Sequence, residues 1–209
     1  LVKSLPAACV YRVGVGTMNG RELAVAALLE HHLAPTLIGR DPGAIEDIWK
    51  YLYRGAYWRG GPIQMSALAA IDMALWDIKG KALNTPLYRL LGGTRRAVSA
   101  YAGGVSLGYQ PPSQLVEEAK RSVDAGYKAI KLRLGDTPVR DTERLRAVRK
   151  AFGDQMVILT DANIGYQLED VRRVMPVLDE IRAGWLEEPF PAHDYRSYKE
   201  AKLLVRTPL

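Results

Sequence analysis

Three short polar clusters close strand-like runs in this chain: Lys131-Leu132-Arg133 in YKAIKLRLG, Asp161-Ala162-Asn163 in MVILTDAN, and Glu187-Glu188-Pro189 in AGWLEEP. They recur once per strand-helix unit, 30 residues from Lys131 to Asp161 and 26 from Asp161 to Glu187. Equivalent ends of neighbouring parallel strands converge on one patch, which here would hold two cations beside at least two carboxylates. Asp and Glu offer the hard oxygen ligands that Mg²⁺ prefers, and that ion usually keeps waters or substrate oxygens in the rest of its shell. Either carboxylate alone has a plainer explanation, with Asp161 capping a turn and Glu187 pairing with Lys131. The ordered set points instead to a metal-assisted site.

The elements that must position these residues follow from the hydrophobic period. Strands are expected at 97–103, 127–134, 156–162 and 183–188, and helices at 113–125, 139–151, 167–181 and 194–204, with Ser113 capping the first helix and Gly126 following it. Alternating strands and helices imply parallel pairing and right-handed crossovers. Residues two apart on a strand share a face, so Lys131 and Arg133 point together, as do Leu159, Asp161 and Asn163, while Ile130, Leu132 and Leu134 face the helices. Charges placed this way need a metal, partner or substrate to compensate them.

Upstream the pattern is helical. Helices are expected over 21–34, ending before Pro35 with His31 and His32 at the solvated end, over 43–54, and over 64–81, the last packed on several sides. A boundary near Gly92-Gly93 divides an N-terminal α+β domain, 1–93, from a strand-helix domain, 94–209. Tyr57, Trp58 and Arg59 are expected to pack, and Trp185 to lie in the interior. Cys9, the sole cysteine, is expected to pack as a small apolar residue and excludes an internal disulfide or thiolate cage.

A composition 48% hydrophobic and 25% charged excludes a disordered chain. No apolar run approaches the ~18 residues of a membrane span and no signal-peptide layout is evident, so a soluble cytoplasmic protein is expected. The +6 charge is dispersed: Arg140, Arg144, Arg146, Arg149 and Lys150 alternate with Asp141 and Glu143 as on a solvated helix face. Nucleic acid is therefore not an expected partner.

The segments AAIDMALWDIKGKALNTPLYRLLGG, GYKAIKLRLG, TDAN and WLEEPFPAHDY, in this order and spacing, resemble the mandelate racemase and muconate lactonizing branch of the enolase superfamily across most of residues 62–198. The resemblance implies an α+β capping domain followed by a modified (β/α)₇β TIM-type barrel. It implies Mg²⁺ held by Asp161, Glu187 and a third carboxylate on the next strand, Asn163 facing the substrate, and a homo-oligomer. The implied chemistry is removal of a proton next to the carboxylate of a small-molecule acid through an enediolate. His193, in PAHDY, belongs to a surface loop or to the rim of the site.

One position departs from the family pattern. The second strand there usually ends Lys-x-Lys, with the second lysine as base, and here that position is Arg133. Arginine, with a pKa of about 12.5–13.8, is neutral at pH 7 only about once in a million, a handicap of roughly 8 kcal/mol for a free base. Arg133 is better suited to orient an anion, and it should lower the pKa of Lys131, to which the resemblance gives the role of neutralising the substrate carboxylate. Dehydration of a sugar acid, with the main base on a later strand, is the expected activity; a racemase, epimerase or cycloisomerase using Lys131 is the alternative, and a non-catalytic binding relative a third reading. Four barrel strands, with 207–209 opening a fifth, fall short of the eight a closed barrel needs. The barrel is thus expected to be incomplete in this chain, with the third ligand and the base beyond Leu209.

Overall fold

Strand-helix repetition builds the sheet that carries the polar clusters. The computed structural model describes residues 20–103, 108–204 and 206–209, and the chain divides between Arg96 and Ala97 into two units. Cys9 lies outside the described residues.

In the first unit, α1 (Glu22–Leu28) runs through a π-helical turn (Leu29–Leu33) into α2 (Ala34–Leu37), followed by α3 (Ile45–Arg54), α4 (Pro62–Ala82) and the short α5 (Leu87–Leu90). The first helix does not stop at Pro35 as expected. The π turn restarts the helix so that Pro35 falls in a new first turn, where a missing N–H costs little. His31 and His32 on that turn are exposed. Val25, Ile48, Leu52, Leu68, Ile71 and Leu75 form the core of this unit. Tyr57 and Trp58, expected to pack, are 88% and 86% exposed, because the glycine-flanked turn that carries them projects past the end of α3.

The second unit alternates β1 (Ala102–Gly103), α6 (Pro112–Asp124), β2 (Ala129–Arg133), α7 (Pro138–Phe152), β3 (Val157–Asp161), α8 (Leu168–Glu180), β4 (Leu186–Glu187) and α9 (Tyr195–Lys202). All pairings are parallel and the order is sequential, β1-β2-β3-β4. The α/β class and the incomplete barrel read from the sequence agree with this sheet. β1 is shorter than expected because Ala102 already pairs with Ile130 near the start of β2, leaving 97–100 nothing to pair with. The Leu186 amide donates to the Pro208 carbonyl at 2.8 Å, so the chain beyond α9 returns alongside β4.

Alternation on β2 buries Ile130 and Leu132 and leaves Lys131 and Arg133 half-buried on the other face. Ile130, Leu132, Leu134, Ile158 and Leu186 meet Leu145, Val148, Val174 and Leu178 of the helices in one core, each buried aliphatic side chain stabilising the fold by about 1.5–3 kcal/mol. Thr137 caps α7, and a Gln167/Asp170 capping box opens α8. Ser113 is not the cap of α6: the helix starts at Pro112, so Pro111 takes that place without a side-chain bond. The solvated reading of α7 holds for Arg146 and Lys150 but fails for Asp141 and Arg144, which are 0% and 5% exposed. They lie on the stripe that packs against the sheet and carry their own partners into it.

Candidate functional site

β2, β3 and β4 end level with one another, and their last residues form a row. Arg133 is the register partner of Asp161, and Asp161 of Glu187. Lys131, two residues back on the same face as Arg133, reaches across β3. Its Nζ donates to Asp161 Oδ2 at 2.9 Å and to Glu187 Oε2 at 3.0 Å. The ammonium also stands 5.8 Å from the centre of the Tyr101 ring, which meets Trp185 edge-on.

Burial opposes the charge on Lys131, but the Asp161 and Glu187 carboxylates outweigh it and hold the lysine pKa above its ordinary value. The lowering expected from Arg133 is thus reversed, because two anions lie within hydrogen-bonding distance. Arg133 is half-buried, and its Nε is buried with no hydrogen-bond partner among the described residues. Gly108 lies against its stem, where an added Cβ would come within 3.2 Å of the Arg133 Cβ.

Asn163 departs from the alternation expected of it. The strand ends at Asp161, and Asn163 and Ile164 adopt left-handed conformations (φ 47° and 58°). The Asn163 amide N–H donates to Asp161 Oδ1 at 2.9 Å, and its side-chain Nδ2 to Glu188 Oε1 at 2.7 Å. Asn163 is therefore an exposed rim residue bonded to the second glutamate of the triplet. His193 is likewise exposed, in the turn that Asp194 caps at the start of α9. Lys131, Arg133, Asp161 and Glu187 come together; Asn163 lies beside them through Asp161, and no contact joins His193 to them among the described residues.

The loops behind this row are tied together. Gly135, at φ +94°, backs onto Gly165, where an added Cβ would lie 2.7 Å from the Gly135 carbonyl. Asp141 Oδ2 accepts from the amides of Gly135 (3.0 Å) and Asp136 (3.1 Å) and from the Tyr166 hydroxyl (2.6 Å). Arg144 donates to Asp141 Oδ1 at 3.0 Å, Asp136 Oδ2 at 2.9 Å, the Gln110 carbonyl at 2.9 Å and the Tyr109 carbonyl at 2.7 Å. Burial pushes the Asp141 carboxyl up against the pull of these donors, and burial beside that carboxylate pushes the Tyr166 hydroxyl up as well. The place of Tyr101 beside Lys131, the bond from Asn163 to Glu188 and this cluster of contacts escaped the sequence reading. The tyrosine after TDANIG, five residues past Asp161, was the one available signal.

Among the described residues no three His, Cys, Asp or Glu side chains gather into a metal cage. Asp161 and Glu187 nevertheless fit part of an Mg²⁺ shell. They are adjacent across a strand pair, both contact one cation already, and both supply hard oxygens, with waters, a substrate or a further carboxylate left to complete the coordination.

Residues 6–92 match the family described as mandelate racemase / muconate lactonizing enzyme, N-terminal domain, and residues 114–209 match the one described as enolase C-terminal domain-like. The chain is 39% identical over 232 residues to the D-galactonate dehydratase family member ManD of Chromohalobacter salexigens, covering 94% of this chain and 57% of that protein. It is 48% identical to a crystal structure of an enolase superfamily member from a Polaromonas species, with TM-score 0.85 over 92% of this chain and 51% of that one. The L-talarate dehydratase from a Polaromonas species, complexed with Mg and L-glucarate, is 31% identical, with TM-score 0.79 over 90% of this chain and 53% of that one. The chain thus spans little more than half the length of the relatives it matches.

Proposed function

Because the chain belongs to the mandelate racemase and muconate lactonizing branch of the enolase superfamily, we propose that it is part of a Mg²⁺-dependent lyase that dehydrates a sugar acid. The observation that carries this reading is the row of Arg133, Asp161 and Glu187 at paired strand ends, with Lys131 bridging the two carboxylates. The dehydratase names of the relatives, and the Mg and L-glucarate bound to one of them, support the substrate class.

In this reaction the proton on the carbon next to the carboxylate leaves to a base, and the hydroxyl on the following carbon departs with a proton as water. The enol left behind ketonises to a 2-oxo acid. Asp161 and Glu187 would hold the cation, which when bound offsets the negative charge that grows on the substrate carboxylate. Lys131, whose ammonium bonds to both Asp161 and Glu187, adds positive charge beside that carboxylate. Arg133 presents a planar fork suited to anchor a carboxylate or hydroxyls. Neither cation is suited to remove the proton, so the base is assigned to a later strand of a complete homo-oligomeric barrel. The isomerase alternative needs Lys131 to act as the base, giving up the ammonium that bonds to Asp161 and Glu187.

Exchange of substrate protons in heavy water over a panel of sugar acids tests the reading. Mg²⁺-dependent exchange with loss of water is the expected result. Exchange that returns intact substrate would establish the isomerase instead, and no Mg²⁺-dependent exchange would leave a non-catalytic relative.

A further inference from the structure

The turn that follows Asp161 is strained and needs something to hold it. Asn163 and Ile164 are consecutive non-glycine residues at positive φ, 47° and 58°, and a β-branched side chain rarely adopts that region. Such a turn persists only where its surroundings over-determine it. On one side the Ile164 amide donates to the Glu188 carbonyl at 2.7 Å and the Tyr166 amide to the Pro189 carbonyl at 3.1 Å. On the other, the Tyr166 side chain is 1% exposed and its hydroxyl donates to Asp141 Oδ2.

Asp141 is itself fully buried at the start of α7, and through Arg144 it joins the loops after β1, β2 and β3, at Tyr109-Gln110, Gly135-Asp136 and Tyr166. A buried charge cluster is weak evidence of stabilisation, because apolar residues of the same volume often serve as well. It does, however, specify geometry. Its members converge on the loops that carry Asn163 and bring Gly108 against Arg133, whereas the aliphatic core lies behind them.

We propose that Tyr166, acting through the buried Asp141–Arg144 pair, is a positioning residue that fixes the strained Asn163-Ile164 turn and thereby sets Asp161 for cation binding. The part concerning cation binding rests on the function proposed above; the part concerning the turn does not.

The test compares the protein with Tyr166→Phe, which keeps the ring and removes one hydroxyl, with Asp141→Asn as a second variant. Val174→Ala in the core under α8 serves as a destabilised control outside the network. Mg²⁺ affinity is measured by calorimetry and amide hydrogen exchange at Asn163 and Ile164 by NMR. The expected result for Tyr166→Phe is Mg²⁺ binding weaker by about tenfold and exchange at the two amides faster by about tenfold. Val174→Ala should lower the melting temperature and change neither quantity. Unchanged exchange in Tyr166→Phe overturns the inference, as does unchanged affinity where the parent protein binds Mg²⁺. A parent that binds no Mg²⁺ would defeat the proposed function, and the exchange measurement would then decide the positioning role alone.

Discussion

Asp161 lies opposite Glu187 in the parallel register of β3 and β4, and the Lys131 ammonium bonds to both carboxylates from one strand further over. Two anions at adjacent strand ends repel each other, so this pairing is stable only with a cation between or beside them. Lys131 supplies one in the protein, and the proposed metal would be a second.

Replacing Lys131 by methionine keeps much of the stem and removes the charge. We expect a loss of about 1–3 kcal/mol near pH 7 by chemical denaturation. In the parent protein the raised Lys131 pKa sets the alkaline limit: its stabilisation is fully present below the ordinary 10.5 and is lost as pH climbs through the higher folded value. A loss at pH 7 below about 0.5 kcal/mol would show that Lys131 does not balance these carboxylates.

Arg133→Lys keeps the charge and removes the planar fork. Binding of a sugar acid in the presence of Mg²⁺, followed by calorimetry, should weaken by about tenfold, with Mg²⁺ affinity itself unchanged. Parity between arginine and lysine would mean that the position contributes charge alone.

Gly135→Ala places a methyl group against the Ala162 carbonyl at a backbone φ of +94°. Neither the clash nor the conformation can relax without moving the turn beside Asp161. A destabilisation of about 2–4 kcal/mol is expected in denaturant titrations, and a change below 1 kcal/mol would indicate that the two loops are not in contact.

Strand ends were the legible part of this site. Strict alternation on β2 separated Ile130 and Leu132 from Lys131 and Arg133, and unit spacing aligned Asp161 with Glu187, both local properties of the chain. Alternation stopped being informative where the strand stopped: Asn163, one residue into a left-handed turn, swung to Glu188. Arg144 and Asp141 read as surface charges because mixed signs on a helix usually are. Their burial depends on Tyr109, Gln110 and Tyr166, which lie 35, 34 and 25 residues from their partners and leave no periodic trace. The exposure of Tyr57 and Trp58 was equally hidden, since apolar character alone does not say which turn projects.

The central claim, that Asp161 and Glu187 hold one divalent cation between them, is tested most directly by calorimetric titration of Mg²⁺ into the protein, Asp161→Ala and Glu187→Gln. One site per chain is predicted in the parent, abolished in Asp161→Ala and weakened by at least about tenfold in Glu187→Gln. Equal Mg²⁺ binding by all three proteins, or none by the parent, would contradict it.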